Sequence, residues 1–191
     1  DIREALIDIV PLCVPPQLPQ RKLTDGLHII YAGLMLPWQN PIPGFELLTQ
    51  QLDQWNAYLH LFTGTHQTIP MQNQDLSSIT CHSRVFSHGL VSHDELLEWY
   101  GKMSVAWNYC EWNPERELTS TTRVAEYLWA GLPVVQPVYG ELSRQIEQYD
   151  AGWIVRTSLA TAIPQALSYY REKSMNAQRL AREYLAWDKA I

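Results

Sequence analysis

Short apolar runs alternate along the chain with stretches of helical period. Leu27 to Ala32 reads as a buried strand ended by Gly33, and Phe45, Leu48, Leu52 and Trp55 then recur at helical spacing. Tyr58 to Phe62 is a second strand closed by Thr63-Gly64. The polar stretch from Thr65 to Ser78 reads as loop with one turn of helix. Arg84-Val85-Phe86 is a third short strand, after which Ser92 and Glu95 form a capping box that opens a helix with Leu96, Leu97 and Tyr100 on its apolar side. Met103 to Tyr109 is a fourth strand, and Cys110 to Leu118 is polar and charged without a periodic signal. A helix from about Thr121 to Ala130 is stopped by Gly131 at its C′ position and by Pro133 beyond. Pro133-Val134-Val135 begins a fifth strand, and a helix around Glu141 to Tyr149 carries Leu142, Ile146 and Tyr149. Trp153-Ile154-Val155 is a sixth strand, and the remainder is helical with Leu180, Tyr184 and Leu185 as its stripe. This alternation predicts an α/β fold, a doubly wound parallel sheet of about six strands with helices on both faces. Residues 1–26, with Ile9 to Pro16 extended and Pro-stiffened, read as an interdomain-type segment and loop, and 27–191 as the folded domain.

Composition narrows the function classes. The 191 residues are 46% hydrophobic and 18% charged, which excludes a disordered segment. A chain of this mass buries roughly 70% of its unfolded surface, enough for one ordinary core. A net charge of −6 with scattered basic residues disfavours nucleic acid as a partner. Cys13, Cys81 and Cys110 are odd in number and widely spaced, which fits a reducing, cytoplasmic setting rather than a disulfide or zinc scaffold. His82, His88 and His93 lie close together without a His-Glu-x-x-His spacing, so they read as loop histidines and no metal site is expected. No run approaches the ~18 apolar residues of a membrane span. The start at Asp1 lacks the features of a targeting segment and suggests a piece of something longer. Eight Trp and ten Tyr are an aromatic surplus that calls for a core, a stacking surface or a face turned to another domain.

In open parallel sheets ligands bind beyond the carboxyl ends of the strands, so the loops after Gly33, Gly64, Phe86, Tyr109 and Val135 are the ones to inspect. Gly33 is followed by Leu34 and Met35 rather than by a Gly-x-Gly-x-x-Gly turn, which disfavours a dinucleotide site. Thr119-Ser120-Thr121-Thr122-Arg123 occupies a helix N-terminus, where free amides, hydroxyls and a guanidinium make either a diphosphate cradle or an ordinary Ser/Thr cap with a solvated Arg. Glu126, in the first turns of the same helix, either accepts two ribose hydroxyls or simply stabilises the helix start.

Thr122-Arg123-Val124-Ala125-Glu126-Tyr127-Leu128-Trp129-Ala130-Gly131-Leu132-Pro133-Val134-Val135 resembles the helix and strand that carry nucleotide-sugar recognition in the C-terminal half of GT-B type glycosyltransferases, the large retaining group with a Glu-x-x-x-x-Gly-x-Pro-Val signature. The resemblance extends through Phe86 to Leu96 on one side and Tyr139 to Val155 on the other, with Ala186-Trp187-Asp188 similar to the terminal helix, and covers about residues 27 to 190. It implies a Rossmann-like lobe in which Glu126 holds the donor ribose and Thr121, Thr122 and Arg123 meet the diphosphate. It also implies that the main chain of His88, Gly89 and Leu90 meets the base, with Gly33 at the first loop. Glu117 lies near the first Glu of the family's paired-Glu pattern, with Leu118 at the expected place, and is a candidate for a sugar-side, catalytic role. The Arg and Lys that the family supplies after Gly33 are replaced by Leu34 and Gln39. Either Arg123, with Arg116 or Lys102, then carries the leaving-group charge, or donor turnover is lost.

The resemblance thus implies the donor-binding half of a glycosyltransferase acting on a nucleotide-diphosphate sugar, with no cofactor or metal required. The acceptor domain would be a missing N-terminal part of the same chain, in a cytoplasmic or membrane-peripheral protein, and this part alone would transfer nothing. The alternatives are a catalytically silent GT-B-like scaffold in glycan assembly and a nucleotide-sugar epimerase. On the two-lobed reading, Trp38 and Tyr109 to Trp112 face the cleft between lobes rather than the core.

Overall fold

The apolar runs become a six-stranded, all-parallel sheet: β1 (Leu27–Ala32), β2 (Ala57–Phe62), β3 (Val85–Ser87), β4 (Val105–Trp107), β5 (Val134–Pro137) and β6 (Gly152–Val155), in the order β3-β2-β1-β4-β5-β6. The computed structural model describes residues 13–35, 39, 41–64, 76–118, 121–140, 142–156 and 170–189. Trp38, Thr119, Ser120, Glu141 and residues 65–75 therefore lie outside the described residues. The strands are largely apolar on both faces, as a sheet covered on both sides requires, with His60 and Gln136 the buried polar exceptions. Ile29 and Tyr31 of β1 join Leu59, Leu61, Val105, Trp107 and Val135 in one core layer, while Ile30 and Ala32 join Ala106 and Val134 in the other.

The first layer is closed by α1 (Ile42–Thr49) and α2 (Ser77–Thr80), the second by α3 (His93–Lys102), α5 (Thr122–Trp129), α6 (Ser143–Tyr149) and α7 (Tyr170–Leu180). The capping box at α3 forms as expected, with Ser92 accepting from the Glu95 amide at 3.2 Å. Gly131 ends α5 at φ 74°. The polar stretch after Cys110 contains a helix that the periodicity does not announce, α4 (Pro114–Leu118), where Asn113 accepts from the Arg116 amide at 2.8 Å and Pro114 is the first helical residue. The terminal stripe also differs. Beyond α7 the chain winds into a π-helical turn, Ala181–Leu185, which brings Leu180 and Leu185 to the same buried side and leaves Tyr184 38% exposed.

The segment before β1 packs on this domain. Val14 is buried and forms a bridge with Ala186, and the Arg21 guanidinium donates to the Gly131 and Met103 carbonyls. Burial lowers the Arg21 pKa to about 10.

Candidate functional site

The chain builds β1, β2 and β3 in one direction from the centre and β4, β5 and β6 in the other. The carboxyl ends of β1 and β4 therefore flank the topological switch point, where doubly wound sheets leave a crevice. What fills that crevice is set by how α5 docks. The Tyr127 hydroxyl, fully buried, accepts from the Ala32 amide at 2.7 Å and donates to the Ala32 carbonyl at 3.2 Å. Burial raises the Tyr127 pKa, so the phenol keeps its proton. These two bonds fix α5 against the end of β1, and Arg123, one turn earlier on the same face, is carried over the crevice.

The Arg123 guanidinium lies 4.9 Å above the Tyr31 ring and donates to Gln39 Oε1 at 3.2 Å. It rests against Gly33, where φ is +138° and an added Cβ would stand 3.0 Å from Arg123 Cζ. Arg116, presented by α4, is 7% exposed, and its Nε finds no hydrogen-bond partner among the described residues. Both arginines line one cavity with Tyr31, Gln39 and Asn108. A second cavity adjoins it, lined by Arg116, Thr121, Gln136 and Gly140. Among the described residues no carboxylate forms an ion pair with either guanidinium. A buried and a half-buried cation with no fixed counter-ion among the described residues are costly, and a bound anion would relieve that cost. Gln136, buried beside them, donates to Ser143 Oγ at 2.8 Å and accepts from Asn108 at 3.5 Å, which holds the cavity floor.

Among the expected site residues, Gly33, Thr121 and Arg123 converge here. Thr121 takes the extended N-cap geometry without spending its hydroxyl on a cap bond, and Thr122 follows as the first, exposed residue of α5. Arg123 is not a solvated arginine beside a cap. Glu126, one turn beyond Arg123, lies toward the start of α3, where His93 Nε2 is 3.3 Å from its Oε1. His88, Gly89 and Leu90 follow β3. Gly89 has φ 72° with open space at its Cβ position, and Leu90, 57% exposed, packs on Gly64 at the end of β2. Glu117 lies apart on an exposed surface, lines neither arginine cavity, and accepts from Trp112 Nε1 at 3.1 Å. Lys102 stands 5.0 Å over the Trp99 ring at the end of α3 and lines neither cavity. Trp112 is 60% exposed and Tyr109 half-buried, whereas Cys110 between them is buried.

The loop histidines do not form one group. His82 is 3.7 Å from Asp53, His93 meets Glu126, and His88 joins His28 and His60. Among the described residues no cluster of His, Cys, Asp or Glu is arranged to hold a metal ion, and no helix is long and apolar enough to cross a membrane. Sequence reasoning passed over Tyr127 and the α4 scaffold of Arg116. The Asn113-Pro114 pair, a cap followed by a first-turn proline, was the available signal for α4.

No family model matches the chain, and no curated protein matches it by sequence. Solved structures do. TarM aligns with a TM-score of 0.74 at 13% identity over 93% of this chain and 36% of its own. Sucrose-phosphate synthase from Thermosynechococcus elongatus aligns at 0.67 and 16% identity over 95% and 49%. The fold is that of a GT-B glycosyltransferase lobe. WaaG, a glycosyltransferase involved in lipopolysaccharide biosynthesis, has the same GT-B lobe at a TM-score of 0.66 and 13% identity, over 94% of this chain and 53% of its own. The chain thus spans between about a third and a half of the length of these structures. One further structure of S. aureus TarM, at a TM-score of 0.72, holds UDP.

Proposed function

We propose that the chain is the donor-binding half of a glycosyltransferase and holds the diphosphate of a nucleotide-diphosphate sugar at the β1/β4 crevice. The observation that carries this reading is the convergence of Arg116, buried, and Arg123, half-buried, both without a carboxylate partner among the described residues, on the cavity beside the α5 N-terminus. When the bond from the sugar to the diphosphate breaks, negative charge grows on the diphosphate oxygen. Fixed guanidiniums and helix-start amides stabilise that charge without reorganising. No metal ion is needed for that step on this reading. Gln39, where the resembled family places a cation, instead holds Arg123 at 3.2 Å, so the charge comes from α5 and α4 rather than from the first loop. Glu126, on the side of α5 facing the residues after β3, takes the ribose between the diphosphate and a base at His88 to Leu90. The glycosyltransferase neighbours do not favour the epimerase alternative.

Calorimetric titration with uridine, guanosine, adenosine and thymidine diphosphates tests the reading. Binding of at least one is expected, and Glu126→Ala should weaken it by about 1 to 3 kcal/mol through the loss of charge-assisted hydrogen bonds. Failure of all of them to bind at millimolar concentration overturns the donor site and leaves the scaffold reading. Unchanged affinity in the variant removes Glu126 from the ribose.

A further inference from the structure

His28, His60 and His88 stand on the same face of the sheet. The strand register places Ile30 beside His60 and His60 beside Phe86, so each histidine sits two residues further along than the partner of the one before. The rings form a diagonal that climbs from the start of β1 to the end of β3. His28 Nδ1 is 2.9 Å from His60 Nε2, and His60 Nδ1 is 3.0 Å from His88 Nε2. At the outer end His28 Nε2 is 3.1 Å from the Asp25 carbonyl. His88 stacks on Phe62 with centroids 4.4 Å apart, which holds its ring in place.

One carbonyl decides every tautomer in this chain. A carbonyl only accepts, so His28 Nε2 carries its hydrogen, and in the neutral ring Nδ1 is a lone pair. His60 Nε2 must then donate to His28 and His88 Nε2 to His60, which leaves His88 Nδ1 as the terminal acceptor. Adding one proton has a single outcome at that end. Whichever ring bears the charge, each junction still holds one hydrogen and the extra one stands on His88 Nδ1. A second proton would set two N–H groups face to face.

We propose that His28, His60 and His88 form a one-proton relay that sets whether His88 Nδ1 is a hydrogen-bond acceptor or donor, beside the Gly89–Leu90 main chain where the nucleobase is read. The base-reading part rests on the nucleotide site proposed above. Several groups bear on the rings. Tyr58 stacks on His28 at 5.1 Å with Arg84 over its far side, Trp99 packs on His60 and His88 with Lys102 beyond it, and Glu95 of α3 favours charge on His88. Burial, with His28 and His88 adding to it, lowers His60 to about 4, and burial lowers His88 as well. Charge on His60 itself is thus the least favoured, yet the hydrogen added to the relay is still read at His88.

Long-range proton–nitrogen NMR of the histidine-labelled protein tests this. At pH 8 all three Nε2 atoms should be protonated and all three Nδ1 atoms bare. Down to pH 4.5 the three rings together should take up one proton, with hydrogen gained at His88 Nδ1. His60→Phe, which cuts the relay and keeps the stacking, should raise the count to two. Any count other than one in the unaltered protein, or a hydrogen on the Nδ1 of His28 or His60 at pH 8, overturns the relay without need of the variant. A lone pair at His88 favours the N3–H of uracil and an N–H favours the N3 of cytosine. The ratio of uridine to cytidine diphosphate affinity should therefore fall about fivefold from pH 8 to pH 5.5, the worth of one hydrogen bond. A constant ratio overturns the base-reading role. Absence of binding by either nucleotide overturns the nucleotide site and that role together, while the proton count still decides the relay.

Discussion

Single side chains here gain their meaning from what surrounds them. Arg116 and Arg123 are the same residue type as the exposed Arg156, whose ion pair with Glu147 contributes little, yet their placement on a shared cavity, Arg116 buried and Arg123 half-buried, makes them the strongest fixed charges of the site. His60 shows the converse, a titratable group kept neutral by its setting. Its folded pKa, lowered by burial to about 4, stands below the usual 6.5 of the unfolded chain. Between those values the unfolded state binds the proton and the folded state does not, so stability is full above pH 6.5 and falls as the pH drops toward 4. The loss attached to His60 is about 2 to 3 kcal/mol. Urea midpoints at pH 7 and pH 4.5 should show the unaltered domain losing more stability on acidification than His60→Phe. Equal losses would remove His60 from the acid response.

Element placement does the work that residue type alone cannot. The pairing of Tyr127 with both polar groups of Ala32 sets α5 in register with β1, and Gly33, without a Cβ, leaves room for the Arg123 guanidinium that rests against it. Gly33→Ala forces a Cβ to within 3.0 Å of Arg123 Cζ at a φ of +138° that alanine resists. The conformation costs about 1 to 2 kcal/mol of stability, and the displaced guanidinium should weaken nucleoside diphosphate binding at least tenfold beyond that. Retained affinity in a folded Gly33→Ala domain would show that Arg123 does not touch the diphosphate. The strands, α3 and α5 were legible in the sequence because apolar runs, the capping box of α3 and the Gly131 stop of α5 are local signals. What depended on register was not. His28, His60 and His88 are separated by whole strand–helix units and meet only through cross-strand pairing, while proximity along the chain had grouped His88 with His82 and His93. Helix α4 carries mostly polar side chains, so no stripe revealed it. The π-helical turn keeps Leu185 on the buried side with Leu180 and turns Tyr184 out of the expected stripe, because it adds one residue to the helical repeat.

At the scale of the molecule, the charge balance and the open crevice bear on the proposed donor site. A net charge of −6 gives no general attraction for a diphosphate, so on the proposed reading the affinity comes from the local pair of guanidiniums and the α5 amides. Such a site needs no divalent cation to hold the anion, and nucleoside diphosphate binding should survive EDTA unchanged; loss of binding on chelation would assign the charge to a metal instead. Binding is nevertheless short of transfer. Beside the arginine cavities lies a further pocket lined by Trp112 and Val138, 60% and 46% exposed, so this flank of the crevice faces water. Transfer requires that water be excluded and an acceptor hydroxyl be held against the sugar, and an open flank supplies neither. The lobe alone should therefore bind a nucleotide sugar and leave a supplied acceptor unmodified, as judged by mass spectrometry of the products. Glycosylation by this chain without a second lobe would show that the acceptor site is built within it.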